Sequence, residues 1–225
     1  MRNNTFEESY FKGHYCKNTG NFQKKDLQKL FNWYWGWITY FQRYVDLQNG
    51  AGKNVLEVGC GIAPISKILS ERGFQTYASD ISSYAIENTK KLQKNTIFFI
   101  QDITIRKTIS KKFDIIIACE VVEHINSITT GLKNLKKMLK KDGVIILSTP
   151  FPCKKAYDDP THINVHEKEY WEEQLQKVGF IKTVSFYLSF LPFLYFLDKR
   201  LSIALPMKIP WKYINSTTIL IAWNK

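Results

Sequence analysis

The sequence predicts an α/β fold in which parallel strands are joined by right-handed helical crossovers. Three observations carry that prediction. The segment from Val55 to Pro64, VLEVGCGIAP, passes from an apolar strand through a glycine turn into a helical pattern. Downstream, strand-like and helical runs alternate, with glycine at the turns between them. Several of the strands end in an acidic residue, at Asp80, Asp102 and Glu120.

Val55, Leu56 and Val58 form a short apolar run suited to a buried central strand. Gly59 and Gly61 then allow a tight turn whose backbone can approach a ligand, and Ile65, Ile68 and Leu69 recur at helical spacing beyond it. A cofactor of nucleotide type is the natural occupant. A dinucleotide site needs a third glycine, which lets the helix pack closely over a pyrophosphate, and Pro64 stands at that position. The strand-end carboxylate of Glu57 suits an ammonium group instead.

Phe74 to Ser79 forms a second strand ending at Asp80, followed by Ile81. An acidic side chain about twenty residues past the glycines can accept hydrogen bonds from both ribose hydroxyls. Asp80 is alternatively a helix cap, since Ser82 and Ser83 follow it and Ala85 to Leu92 read as helical. Thr96 to Ile100 is the third strand, ending in Gln101, Asp102 and Ile103. Phe113 to Ala118, FDIIIA, is the fourth, and it runs into Cys119, Glu120, Val121, Val122, Glu123, His124 and Ile125. Leu135 to Leu139, Lys140 to Gly143 and Val144 to Thr149 then give a helix, a glycine turn and a fifth strand.

Ahead of the first strand, Asp26 to Leu47 crowds Phe31, Trp33, Tyr34, Trp35, Trp37, Tyr40, Phe41 and Tyr44 into a leading helix. Most of these aromatics are expected to pack on the sheet, with one or two lining a lid over ligand and acceptor. Tyr10 to Tyr15 could fold over the same site. After the fifth strand, Pro150 to His166 leaves the carboxyl end of a parallel strand, where open α/β sheets bind ligands. Between Phe180–Phe190 and Thr217–Trp223, both strand-like, lies an apolar insertion, 191–211, containing Pro192, Pro206 and Pro210. Its residues Phe193 to Leu197 are expected to pack internally or at a dimer contact; an acceptor pocket or shallow membrane contact is the functional alternative.

At 225 residues and 44% hydrophobic content the chain suits one compact unit, with an N-terminal helical, aromatic-rich extension over 1–48 and the main domain over 49–225. Cysteines 16, 60, 119 and 153 show no metal or redox pairing motif, which fits reduced thiols in the cytoplasm. Met1 to Lys12 lacks the apolar core of a secretory signal. The longest apolar stretch, Val184 to Leu197, is broken by Pro192 and falls short of the roughly eighteen residues of a membrane span. A net charge of +12 would attract polyanions, nucleic acid included. Much of it sits in helical runs, Lys90, Lys91, Lys94 and Lys133, Lys136, Lys137, Lys140, Lys141, expected to decorate solvated helix faces.

The VLEVGCG turn, the strand running into ExxEH and the later helix, glycine turn and strand resemble motifs I, II and III of the S-adenosylmethionine (SAM) dependent methyltransferases. The stretch DPTHINVHEKEYW, with Leu175, Gly179 and Phe180 beyond, is similar to the small-molecule, ubiquinone O-methyltransferase-like group. The resemblance covers about Asn54 to Phe180 well and the ends only by topology. It implies a Rossmann-like, seven-stranded, mostly parallel sheet flanked by helices, with the last strand antiparallel. It also implies that SAM meets Glu57, Gly59, Cys60, Gly61, Asp80, Ile81, Asp102, Ile103 and Glu120, the acidic residue after the third strand meeting the adenine amine. On the acceptor side His124, His162 and Glu123 are the catalytic candidates, with His166 ranked below His162 because it stands just before a helix. The implied reaction is O-methylation of a hydroxyl on a small molecule, lipid-linked intermediate or sugar. Glu120, Glu123 and His124 with a later histidine also resemble the metal-binding pattern of small-RNA 3′-terminal 2′-O-methyltransferases, so a divalent cation and an RNA acceptor form an alternative. A non-catalytic SAM-binding subunit is a third reading.

Overall fold

The computed structural model describes residues 6–14, 22–105, 109–191, 194–209 and 215–225. Tyr15, Cys16, Pro192, Phe193, Pro210 and Trp211 lie outside the described residues. The chain divides into two compact units. One holds the described residues up to Asp102 together with 194–202, and the other holds Ile103 to Leu191 and the described residues from Ile203 onward.

The first unit opens with α1 (Glu8–His14) and α2 (Lys24–Phe41). Asp26 accepts the backbone N–H of Gln23 at 2.9 Å and so closes the first turn of α2. Phe31, Trp37, Ile38, Tyr40 and Phe41 are buried, Trp33, Tyr34 and Trp35 are partly buried, and Tyr44 is exposed. Phe11, Phe22 and Leu27 join Ile62 and Ala85 in one apolar cluster, which ties the leading helices to the turn after the first strand. Then come β1 (Asn54–Val58), α3 (Pro64–Ser70), β2 (Gln75–Asp80), α4 (Ser83–Leu92) and β3 (Thr96–Ile100). β1 pairs with β2 and β2 with β3, all parallel, with Val55 opposite Thr76 and Thr76 opposite Thr96. Pro64 opens α3, where a missing N–H costs nothing. Ser82, whose hydroxyl accepts the Ala85 N–H at 3.1 Å, caps α4, so Asp80 stays a strand end.

The short segment 194–202 docks on α2. The Asn32 amide donates to the Tyr195 carbonyl at 3.0 Å, the Ser202 hydroxyl donates to the Trp33 carbonyl at 2.8 Å, and the Lys199 ammonium lies 3.8 Å from the centre of the Trp35 ring. Of the residues expected to be packed here, Tyr195 turns inward against Trp33, whereas Leu194, Phe196 and Leu197 are exposed. Among the described ones, internal packing therefore accounts for Tyr195 alone.

The second unit contains β4 (Phe113–Cys119), α5 (Ile128–Met138), β5 (Leu139–Pro150), α6 (Lys168–Lys177), β6 (Lys182–Leu191), β7 (Ile203–Leu205) and β8 (Asn215–Asn224). β4 and β5 are parallel; β8 runs antiparallel between β5 and β6, and β7 is antiparallel to β6. Ile115, Ile116, Ile117 and Ala118 are all buried, as the unbroken apolar run of a strand covered on both faces requires.

The fold is Rossmann-like and mostly parallel with antiparallel strands at its end, as expected, but among the described residues it has eight strands. The added strand, β7, is three residues of the apolar insertion, too short to show an alternating pattern. The glycine turn expected at Lys140 to Gly143 is absorbed into β5 as an irregularity. The register jumps from Phe113 opposite Leu139 to Ile115 opposite Val144, and Asp142 takes the left-handed φ of 61° that this bulge needs. Among the described residues no helix is long and apolar enough to cross a membrane.

Candidate functional site

In the first unit the predicted cofactor residues gather where β1 and β2 end. Gly59 and Gly61 take left-handed φ values of 63° and 50°, which side chains disfavour, so glycine is needed for the turn. The Cys60 N–H donates to the Ser79 carbonyl at 3.0 Å, binding the turn to β2. The Asp80 carboxylate accepts the Gly61 N–H at 2.9 Å through one oxygen and the Ser82 N–H at 3.0 Å through the other. Two carboxylate oxygens offer about four lone-pair sites, so acceptor capacity remains for a pair of hydroxyls. Burial raises the Asp80 carboxyl above its ordinary range despite these amide donors.

Glu57 sits deeper than a carboxylate waiting for an ammonium would. Its oxygens accept the N–H groups of Ser66 at 2.6 Å and Ile65 at 3.4 Å, at the N-terminal turn of α3. Burial pushes it up to about 7 even so. The Cys60 thiol is buried too and raised, first by desolvation and then by Asp80 and Glu57, which makes it a poor nucleophile. Gly59 and Ile81 are exposed and Asp102 is partly buried, and Ile81 puts an apolar side chain next to the buried Asp80 in sequence. The set fits an adenosyl group with a zwitterionic tail: acceptors for hydroxyls and an amine, and an apolar side chain for a ring.

Ile103 and Glu120 belong to the second unit. Ile103 is buried, and its carbonyl accepts the Asn134 amide at 2.8 Å. Glu120 ends β4 with a left-handed φ of 55°, a strained choice for a residue with a side chain. Its Oε1 lies 2.7 Å from the Ser148 hydroxyl and 2.9 Å from that of Thr217. Desolvation raises its carboxyl, and those two hydroxyls offset part of the rise.

The acceptor candidates are brought together in this unit. Val122 to His124 make one turn of 3-10 helix, and the Glu123 carbonyl accepts the N–H groups of Ile163 at 2.9 Å and Asn164 at 3.0 Å, which fastens the loop carrying His162. The His124 ring is held by its Nδ1, 3.0 Å from the Thr161 carbonyl, and the His162 ring by its Nδ1, 2.7 Å from the Ala156 carbonyl. A carbonyl can only accept, so each Nδ1 carries a proton, and in the neutral form of either ring the lone pair lies on Nε2. The ring centres are 4.8 Å apart. Nε2 of His124 is 3.9 Å from Glu123 Oε1, and Nε2 of His162 is 3.8 Å from Asp159 Oδ2.

Glu123 is fully buried, and neither carboxylate oxygen has a hydrogen-bond partner among the described residues. Desolvation, reinforced by the charges of Glu120 and Asp159, pushes it well above the ordinary carboxylate range. One ligand atom from each of Glu123, His124 and His162 lies within 4.8 Å of the others, a spacing that a divalent cation could draw together. His166 stands apart in its contacts: it stacks on Tyr170 with centroids 3.8 Å apart, and burial lowers its pKa.

Sequence reasoning did not single out Asp159, Ser148 or Thr217. Asp159 stands three residues before His162, a spacing that gives a local signal. Thr217 reaches Glu120 across 97 residues of chain, through the pairing of β5 with β8, and nothing local announces it.

Parallel strands with these acidic ends and this glycine turn make up the fold of the SAM-dependent methyltransferases. This chain belongs to the methyltransferase-domain family, whose model matches residues 36–183. Among curated proteins it is similar to the ubiquinone biosynthesis O-methyltransferase of Rickettsia akari, 33% identical over 111 residues that make up 46% of this chain and 42% of the relative. The enzyme of that name from Coxiella burnetii is 32% identical over 124 residues, 53% of this chain and 52% of the relative. The chain thus spans about half the length of the curated relatives it matches. Among solved structures, the magnesium protoporphyrin IX methyltransferase of Synechocystis with bound SAH superposes with a TM-score of 0.62 at 16% identity, covering 97% of this chain and 98% of that one. A SAM-dependent methyltransferase of Archaeoglobus fulgidus gives 0.61 at 17% identity, covering 83% and 92%.

Proposed function

We propose that this enzyme transfers a methyl group from SAM to a hydroxyl of a small, lipid-linked or sugar acceptor. The carrying observation is the pair His124 and His162, each pinned through Nδ1 by a backbone carbonyl with its Nε2 near an acid, the buried Glu123 for His124 and the partly buried Asp159 for His162. The names of the Rickettsia and Coxiella relatives support oxygen as the acceptor atom.

SAM would supply a methyl group already activated by its sulfonium. Gly59, Cys60 and Gly61 would offer backbone to its methionine end, with Glu57 fixing the start of α3 behind them. Asp80 would accept the ribose hydroxyls, with Ile81 beside it; Asp102 would meet the adenine amine and Ile103 its ring; Glu120 would lie near the sulfonium. Residues 1–48 would act as an extension over that turn, a reading supported by the packing of Phe11, Phe22 and Leu27 on Ile62. His162 would take the acceptor proton at Nε2 as the O–C bond forms and the S–C bond breaks, steadied by Asp159.

A second reading is favoured by the buried carboxylate of Glu123, whose oxygens have no hydrogen-bond partner among the described residues: a divalent cation held by Glu123, His124 and His162 would lower the acceptor hydroxyl's pKa instead. An RNA acceptor is less well supported, because the lysines that converge in this unit do so at the amino ends of β4 and β5, away from the histidines.

A screen with labelled SAM across phenols, sugars, lipids and short RNA tests the proposal. His162→Ala should bind SAM normally and lose about a hundredfold or more in turnover. Under the metal reading, chelator abolishes activity and a divalent ion restores it. SAM binding with no transfer to any acceptor would sink the enzymatic acceptor assignment, and full activity of the double histidine variant with chelator present would remove both roles.

A further inference from the structure

The second unit has a concavity of about 370 Å³ lined by Lys112, Lys133, Lys136, Lys137, Leu139, Val178 and Asn224. Four of its seven lining residues are lysines and none is acidic. They come from separate places in the fold: Lys112 from the segment before β4, and the other three from the last turns of α5. Leu139 and Val178 are the cleft's apolar lining, and the end of β8 adds Asn224, whose amide donates to the Lys140 carbonyl at 2.9 Å. β4 is seven residues long, so at ~3.3 Å per residue the cleft lies roughly 20 Å from the Glu120 end of that strand. It is no part of the acceptor site.

We propose that this cleft binds a compact, multiply charged phosphate, of the size of a diphosphate or triphosphate group. The ordinary account of lysines at the end of a helix is that they cap carbonyls, and two of these do: Lys112 donates to the Lys137 carbonyl and Lys136 to that of Gly179. An ammonium has three protons, so these bonds position two cations and leave each with donors to spare. Lys133 and Lys137 stand four residues apart on one face of α5, where like charges repel. Among the described residues none of the four is in an ion pair, whereas neighbouring Lys140 is neutralised by Asp114 at 2.9 Å. A phosphate-rich anion supplies the missing counter-charge. The end of α5 presents roughly half a negative charge to such a ligand, which four whole positive charges outweigh.

Calorimetry with inorganic pyrophosphate and tripolyphosphate at about 0.1 M salt, where screening acts within ~10 Å, tests this on the whole chain. The unmodified protein should bind tripolyphosphate with a Kd below about 1 mM, and Lys133→Gln with Lys137→Gln should weaken it about tenfold or more, the loss expected when two charge-assisted contacts go. SAH binding should be unchanged. Lys90→Gln with Lys91→Gln, exposed on α4, should leave tripolyphosphate binding as it was. The proposal falls if the unmodified protein binds neither phosphate, if the α4 pair weakens binding as much as the α5 pair, or if only long RNA binds.

Discussion

Asp80 shows how one side chain serves fold and ligand together. Its two oxygens hold the Gly61 and Ser82 amides, so the carboxylate fixes both the glycine turn and the entry to α4 while keeping lone pairs for a ligand. Asp80→Ala should weaken SAM binding by about ten- to a hundredfold, the cost of hydrogen bonds lost at a buried site. Calorimetry with SAM checks it, and tight binding of NAD in place of SAM would contradict the cofactor assignment itself. The strand-end position and the spacing of Asp80 from the glycines are legible in the sequence. The burial of Glu57 against α3 is not, because it depends on where the helix that follows the turn points its first amides.

At the scale of elements, the contact of α2 with segment 194–202 makes a prediction in which two effects oppose each other. Gly36 lies inside α2, where Ala would ordinarily be favoured by about 1 kcal/mol. A Cβ added there would sit 2.5 Å from both the carbonyl oxygen and the hydroxyl of Ser202, and Ser202 is held by its bond to Trp33. Overpacking costs about 1–3 kcal/mol, so sterics should win and Gly36→Ala should lower stability. A urea titration measures it; a gain in stability would mean that the 194–202 segment yields to α2 at little cost. In the sequence Gly36 interrupts a run of aromatics without explanation, since the residue that requires it lies 166 positions further on.

For the whole molecule the notable electrostatic feature is a set of buried carboxyl groups displaced in one direction. Burial lifts Glu57 to about 7, and Asp80, Glu120 and Glu123 are raised as well. From about pH 4.5, where unfolded glutamates lose their protons, to about pH 7, the folded chain holds protons that the unfolded chain has released. The stability this confers is complete below the unfolded pKa and is lost as pH rises through the folded one. Glu57 alone accounts for about 3 kcal/mol of that loss. Asp46, lowered to about 2 by Lys53 and two amides, works in the opposite sense but only in more acidic solution. Without cofactor, the urea midpoint should therefore be lower at pH 8.5 than at pH 5.5, and Glu57→Gln should flatten the difference. An unchanged slope in that variant would place the effect elsewhere.

The sequence by itself determined the order of strands and helices from β1 to β5, the glycine turn after β1, the acidic strand ends and the family, because each is a local pattern: an apolar period, a left-handed turn, a fixed spacing from glycine to Asp80. It also brought Glu120, Glu123 and His124 together, as neighbours in one turn. Only the tertiary structure decided which groups complete the two ends of β4. The imidazole of His162 meets His124 because the Glu123 carbonyl ties down its loop; Thr217 meets Glu120 because β8 runs back beside β5; and Lys112 joins the lysines of α5 because β4 starts beside the end of that helix. Such contacts link residues far apart in the chain, and their energies depend on burial and distance, which a one-dimensional pattern does not contain.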